Sequence, residues 1–164
     1  MNIALDIDHV IANIDSELIR LCPHWNRRDY KIDGLNAEDI IFSSAVPMDK
    51  PTFDFECYIT NRPESSRFVT ERWLRINGFP NKPVHFANHN KAFIMQDYGI
   101  DVIIDDSPFV YSNVTNAGLS VILYTQLWNT HIKTNNRIFS LKEINDGFTS
   151  SVYQRSLSDL RTCE

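Results

Sequence analysis

Five short apolar runs recur along the chain, and they restrict its fold more than any other feature. Each run is followed by a segment that is polar or has helical spacing. This alternation is the pattern of a parallel sheet with crossover helices. Val102-Ile103-Ile104 is apolar at every position, as a strand buried on both faces requires. The sequence therefore predicts an α/β fold, a three-layer sandwich around a five-stranded parallel sheet. The predicted strands are Ile3 to Asp6, Cys57 to Thr60, Val84 to Ala87, Val102 to Asp105 and Val121 to Tyr124.

Helix start signals lie between the later strands. Asn90 is predicted to begin one helix, because a short polar side chain can accept a hydrogen bond from the first free backbone amides. The spacing in that helix predicts that Phe93, Ile94 and Tyr98 face inward. Ser107-Pro108 predicts a second helix start, with a capping serine followed by proline at the first helical position.

The segment after the first strand, residues 11–55, is long for a single crossover connection. It begins with an amphipathic helical pattern and then becomes polar and irregular, so we predict a small, mainly helical cap inserted after that strand. Residues 1–10 and 56–136 are predicted to form the α/β core. Strand periodicity is lost after Thr125, and residues 137–164 are predicted to form a peripheral helical tail. A chain of 164 residues suits one such core.

Composition and charge bear on the location and partners of the protein. The chain is 43% hydrophobic and 23% charged, as in globular domains. Its net charge of −5, without a long basic run, argues against an extended duplex nucleic-acid surface. Three cysteines with no close pair favour a reducing compartment, and no stretch is typical of a signal peptide or a membrane span. We expect a cytoplasmic protein with no membrane partner, and the sequence leaves a homodimer open.

Polar side chains cluster where the predicted strands end. In open parallel sheets, ligands bind beyond the carboxyl ends of the strands. Four carboxylates, a hydroxyl and a lysine are therefore expected to line one crevice. They come from Asp6 and Asp8 at the first strand, Thr60-Asn61-Arg62 at the second, Asp105-Asp106 at the fourth, and Lys91 at the start of the helix after the third.

The residue types in this crevice predict phosphoryl chemistry. Four carboxylates repel one another unless a cation holds them, and all-oxygen ligands favour Mg²⁺. Thr60, Asn61 and Lys91 are candidate ligands for the phosphate of a small phosphorylated substrate. Asp6 is the candidate nucleophile, since a carboxylate can form an aspartyl-phosphate. Asp8 is the candidate general acid and base, which would protonate the leaving oxygen and then deprotonate water.

Four motifs carry a resemblance to a known family. IALDIDHV, YITNRP, Lys91 and IIDDSP occur in the order that is typical of the haloacid-dehalogenase superfamily of phosphotransferases, and about three-quarters of the chain resembles that superfamily. The resemblance implies a Rossmannoid core of that type and phosphorylation of Asp6. It also implies that Asp105 binds Mg²⁺ together with Asp6 and the Asp8 carbonyl. Asp106 would act as a ligand through water or lie in the second shell around the metal.

Four further residues are candidates for contacts with the substrate. Many superfamily members have glycine or threonine-rich sequence where this chain has His9, which stands at the entrance to the cap. Arg62 is close enough in sequence to bind a phosphate or a ribose. Trp25 and Phe42 in the cap could stack on a base, although packing of the cap against the core explains them equally well.

The small cap and the pairing of T-x-R-P with D-D-S-P are similar to the 5′(3′)-deoxyribonucleotidase group. That similarity predicts a 5′-nucleotidase that dephosphorylates (deoxy)nucleoside monophosphates. The stretch TNRPESSRFVTERWLRINGFP is also similar to polynucleotide 3′-phosphatases and acid phosphatases, so a polynucleotide 3′-phosphatase or another small-molecule phosphatase is the alternative. In a phosphate-sensing receiver domain the acidic pair comes early in the sequence and the lysine comes last. In this chain the pair Asp105-Asp106 comes late and Lys91 precedes it, so a receiver domain is disfavoured.

Overall fold

The structure, a computed structural model, describes residues 1–21, 31–32 and 35–144. Its helices are α1 (Asp15–Leu21), α2 (Ala37–Ser44), α3 (Arg67–Ile76), α4 (Lys91–Asp97) and α5 (Pro108–Asn116). Its strands are β1 (Ile3–Leu5), β2 (Ala12–Asn13), β3 (Lys31–Ile32), β4 (Leu35–Asn36), β5 (Val46–Pro47), β6 (Cys57–Thr60), β7 (Val84–Phe86), β8 (Val102–Asp105), β9 (Ser120–Tyr124) and β10 (Arg137–Ile138). Short 3₁₀ turns lie at Glu64–Ser66, Leu127–Asn129 and Leu141–Glu143.

The main sheet has six strands in the order β10-β9-β8-β1-β6-β7, and every neighbouring pair is parallel. Each of the five predicted strands is present, with bounds that differ by a residue at most. The sixth strand, β10, pairs with β9 through Arg137 opposite Leu123 and lies in the segment predicted as a tail. A strand of two residues is too short to show the alternating pattern by which a sequence predicts strands. The rest of that tail, from residue 145, lies outside the described residues.

Helices pack on both faces of this sheet. Alternate residues of a strand point to opposite faces, so Leu5 and Ile104 join one buried cluster while Ala4 and Ile103 join another. Trp73 and Leu74 of α3 belong to the first cluster. The second receives Met95 of α4 and Val114 of α5. The predicted α/β architecture is therefore confirmed.

The predicted helix starts at Asn90 and Ser107 are also present. Asn90 accepts a hydrogen bond from the Phe93 amide at 3.2 Å, and Ser107 accepts one from the Val110 amide at 3.4 Å. The predicted inward face of α4 differs from the structure, because Phe93 and Tyr98 are exposed and the helix buries Lys91, Ala92 and Met95 instead. A helix that carries a lysine on its buried face does not show a plain apolar stripe.

The segment between β1 and β6 packs directly on the core. Its β2 and β5 pair antiparallel, as do β3 and β4, so its described part contains short strands as well as the helices α1 and α2, whereas a mainly helical segment is predicted. Ile41 and Phe42 of α2 belong to the same buried cluster as the sheet. The Trp73 indole N–H of α3 donates a 2.8 Å hydrogen bond to the carbonyl of Ala45, just after α2.

Candidate active site

Three carboxylates meet at the carboxyl ends of β1 and β8. These strands are adjacent, with Leu5 opposite Ile104, and the Asp6 amide donates to the Ile104 carbonyl at 2.9 Å. Asp6, Asp105 and Asp106 are all buried, and each offers an oxygen within 4.8 Å of the others. Strand register therefore brings Asp6 next to Asp105 and Asp106, which lie about 100 positions later in the sequence.

Lys91 provides the cation in this cluster. Its ammonium nitrogen lies 2.7 Å from Asp6 Oδ1 and 2.7 Å from Asp105 Oδ2, and its side chain is almost fully buried. The other oxygen of Asp105 accepts a 2.8 Å hydrogen bond from the Ser107 amide at the start of α5. The structure thus brings together Asp6, Lys91, Asp105 and Asp106, as the sequence predicts.

Burial dominates the electrostatics of the cluster. It raises the pKa of Asp6 well above the usual value; the Lys91 ammonium opposes this shift, and the neighbouring carboxylates add to it. It also raises the pKa of Asp106 to about 7, with a further contribution from Asp105. Burial alone would lower the pKa of Lys91, but the charges of Asp105 and Asp6 raise it above the usual value. Lys91 therefore stays charged, whereas Asp6 and Asp106 are harder to ionise than usual.

Asp8 lies apart from this cluster and pairs with Arg62. The guanidinium Nη2 is 2.6 Å from Asp8 Oδ1, and Nε is 3.0 Å from Oδ2. Arg62 is 3% exposed, its third nitrogen donates to the Thr70 hydroxyl at 3.2 Å, and its Cζ atom lies 4.2 Å from the centre of the Phe42 ring. Asp8 thus has a buried, permanently charged partner.

His9 follows Asp8 in a left-handed backbone conformation with φ 61°. Glycine favours this region, and other residues adopt it rarely. The Gln126 side-chain amide donates to the His9 carbonyl at 2.7 Å, and the His9 ring lies edge-on to Trp128 with 4.9 Å between centroids. The Trp128 indole N–H donates to Asp106 Oδ2 at 2.9 Å. His9 therefore forms part of the wall beside the acidic cluster.

The other predicted site residues have more varied positions. Thr60 is buried at the end of β6, and its hydroxyl accepts a 3.2 Å hydrogen bond from the Arg62 amide. Asn61 is partly buried, and its side-chain oxygen accepts from the His89 amide at 3.1 Å. Trp25 lies outside the described residues.

Two cavities adjoin these groups. One, of about 410 Å³, is lined mainly by polar and aromatic residues, with one proline: Asp6, Asp8, His9, Asn61, Asp106, Ser107, Pro108 and Trp128. The other, of about 230 Å³, shares Asp8 and Asn61 with it and extends between the inserted segment and the core. Ile14, Leu18, Ile41 and Phe42 give the second cavity an apolar side. The geometry therefore suits a ligand with a charged end and an apolar body.

Sequence reasoning missed Gln126, Trp128 and Asn129. They follow β9, so the rule that located the acidic residues would have found them if applied to the fifth strand. Asn129 is fully buried and donates to the carbonyls of Asp106 and Tyr124 at 2.8 Å each. It fixes the loop that carries Trp128 against the site.

The charges of the described groups are consistent with a divalent cation. Asp6, Asp8, Asp105 and Asp106 carry four negative charges when ionised, whereas Lys91 and Arg62 carry two positive ones. Two negative charges are left over, and the three clustered carboxylates offer only hard oxygen ligands. The cluster could therefore hold a metal ion.

Comparisons with known proteins bear on the fold. No protein-family model matches the sequence, and no curated protein matches it either. Among solved structures, the fold is similar to the crystal structure of the UTR4 protein (unknown transcript 4 protein) from Saccharomyces cerevisiae, with a TM-score of 0.50 and 8% sequence identity. The match covers 87% of this chain and 99% of that chain. At this identity it supports the α/β fold alone. No helix in the described part of the chain is long and apolar enough to cross a membrane.

Proposed function

We propose that this protein is a Mg²⁺-dependent phosphomonoester hydrolase of the haloacid-dehalogenase type. The observation that carries the proposal is the position of Lys91, whose ammonium contacts both Asp6 and Asp105 at 2.7 Å beside Asp106. The buried ammonium can bind an anion, and the three carboxylates beside it can bind a divalent cation. A phosphoryl group bound together with Mg²⁺ supplies both charges.

Asp6, Asp105 and Asp106 would hold the metal, together with the Asp8 carbonyl that the resemblance adds. When bound, Mg²⁺ would neutralise the oxygens of the phosphoryl group and of Asp6, so that a carboxylate can approach a phosphate. Lys91 would neutralise a further phosphate oxygen, and the Thr60 hydroxyl and Asn61 amide would supply hydrogen bonds to that group.

The reaction would use two aspartates in turn. An oxygen of Asp6 forms a bond to phosphorus, the bond from phosphorus to the leaving oxygen breaks, and that oxygen takes a proton from Asp8. Water then attacks phosphorus and gives a proton to Asp8, and the bond between phosphorus and Asp6 breaks. The products are an alcohol and inorganic phosphate, and both aspartates return to their starting states.

The substrate we favour is a (deoxy)nucleoside monophosphate. Its phosphate would lie in the larger cavity by Asp6, and its nucleoside would extend past Asn61 toward the apolar side of the second cavity. A polynucleotide 3′-phosphatase or another small-molecule phosphatase is the alternative.

A phosphate-release screen tests the proposal. The panel comprises nucleoside 5′- and 3′-monophosphates, sugar phosphates and a 3′-phosphorylated oligonucleotide. We expect release from nucleoside monophosphates that is lost on Asp6→Asn and on chelation of Mg²⁺. Release from the oligonucleotide alone would favour the alternative. Release that survives both Asp6→Asn and chelation would remove the mechanism.

A further inference from the structure

Arg62 was a candidate for binding substrate, but its charge already has a partner. Two of its nitrogens contact the two oxygens of Asp8, at 2.6 Å for Nη2 to Oδ1 and 3.0 Å for Nε to Oδ2. This is the side-by-side geometry in which a guanidinium binds a carboxylate most strongly. The Arg62 side chain in the pair is fully buried, whereas the Asp8 side chain keeps 20% of its surface accessible. The carboxyl group therefore faces the cavities while the guanidinium supports it from the interior.

Three contacts hold Arg62, two of them on its guanidinium and one on its backbone. Thr70 of α3, which is fully buried, accepts a hydrogen bond from Nη1 at 3.2 Å. Phe42 of α2 covers the planar face, with its ring centre 4.2 Å from Cζ. The Arg62 backbone amide donates to Thr60 at the end of β6. Contacts from the sheet, from α3 and from the inserted segment thus leave Arg62 little rotational freedom.

We propose that Arg62 is a positioning residue that fixes the carboxyl group of Asp8 for proton transfer to the leaving oxygen. Phe42 and Thr70 act behind it by fixing the guanidinium. The proposal rests on the proposed function, in which the proton moves from Asp8 to the leaving oxygen as the bond from that oxygen to phosphorus breaks. A proton donor must lie within hydrogen-bond reach of its acceptor, and a partly exposed aspartate without its partner would sample several rotamers. This account also gives Phe42 a function other than stacking on a base.

The dependence on the leaving group separates this role from a merely structural one. An aryl phosphate such as p-nitrophenyl phosphate releases a stable phenolate that needs little protonation, whereas an alkyl phosphate needs the proton. The value of kcat/KM reports the steps up to departure of the leaving group. The ratio of kcat/KM for an alkyl phosphate to that for p-nitrophenyl phosphate therefore measures proton donation. Both values come from one preparation, so the ratio does not depend on how much of the variant is folded.

The test compares Arg62→Lys with Arg67→Lys. Arg67 is a matched control, because its guanidinium also binds a carboxylate through two nitrogens, on Glu64 at 2.6 and 3.1 Å, and lies 4.5 Å from the Phe86 ring centre. The alkyl substrate is the best one in a panel of nucleoside 5′-monophosphates and sugar phosphates. We expect Arg62→Lys to lower the ratio by about tenfold or more, within the range that general acid catalysis supplies. Arg67→Lys should leave the ratio unchanged.

Two further variants keep the test decisive. Thr70→Val retains the charge of Arg62 and removes one of its supports, so we expect a smaller fall in the ratio in the same direction. In an Asp8→Asn background, which itself lowers the ratio, Arg62→Lys should have no further effect on it, because residues that act through one another are not additive. An equal loss on both substrates, or a rise in KM with kcat unchanged, would overturn the proposal for Arg62. A wild-type protein that hydrolyses neither substrate class would overturn the phosphatase function itself.

Discussion

Replacing Lys91 by methionine tests the electrostatic account of the site. Methionine has a similar length and no charge, so the change removes the ammonium that lies 2.7 Å from both Asp6 and Asp105 and leaves the space largely filled. Both carboxylates are buried, and they would lose a charge-assisted hydrogen bond each. We expect the metal-free protein to become markedly less stable, besides losing activity.

The magnitude follows from the burial of the pair. Removing one partner of a buried ion pair leaves an uncompensated charge and costs about 3–5 kcal/mol. For a domain of this size, each kcal/mol shifts the Tm by about 2–4 °C, so we expect a fall of about 6–20 °C. Because a divalent cation would restore the missing positive charge, Mg²⁺ should raise the Tm of Lys91→Met more than that of the wild type.

Thermal unfolding with a chelator and with Mg²⁺ measures both effects, and Lys82→Met is the matched control. Lys82 lies 2.8 Å from Asp54, almost the same distance, but that carboxylate is 87% exposed. Exposed ion pairs contribute little, so this control should change the Tm far less. Equal falls in Tm for the two variants would refute the reasoning that burial gives Lys91 its importance.

Three further predictions concern the metal site and the inserted segment. Since the pKa of Asp106 is raised to about 7 and Mg²⁺ needs the ionised form, Mg²⁺ should raise the Tm more at a pH of about 8 than at about 6, and equal shifts would contradict this. Trp128→Phe removes a hydrogen bond that lowers the same pKa, so the pH dependence of that shift should move upward, whereas an unchanged profile would count against the contact. Trp73→Phe leaves the Ala45 carbonyl without its buried donor and should cost about 1–3 kcal/mol in denaturant unfolding, which an unaltered midpoint would disprove.

Much of the sheet could be predicted because buried parallel strands need apolar residues on both faces. Val102 to Ile104 is such a run, and the structure gives β8, which ends at Asp105, its predicted bounds. The end of a parallel strand also locates the polar residues after it, which is why Asp6 and Asp105 could be paired from the sequence. The edge strand β10 could not be predicted, because a strand of two residues is too short to show alternation of apolar and polar residues. Its pairing with β9 is also a long-range contact.

The partners of individual side chains were harder to predict than their locations. The sequence places Arg62 just after a predicted strand, but which group it binds depends on distances between loops that a sequence does not contain. Trp128 follows β9, and its hydrogen bond to Asp106 depends on the path of a loop that shows no sequence pattern. The inward face of α4 was misjudged because its buried side includes Lys91, and a lysine is usually assigned to the surface.

Detection of the covalent intermediate tests the central claim most directly. Protein mixed with a substrate from the phosphate-release screen is quenched in acid during turnover, and its peptides are examined by mass spectrometry. We predict a phosphoryl group on the peptide with sequence IALDIDHV, on Asp6, that disappears in Asp6→Asn. With p-nitrophenyl phosphate, whose leaving group needs little protonation, the phosphoryl group should accumulate when Asp8→Asn slows its hydrolysis. The account would be contradicted by turnover with a phosphoryl group on another residue, such as His9. It would also be contradicted by turnover without a phosphorylated peptide in both the wild type and Asp8→Asn.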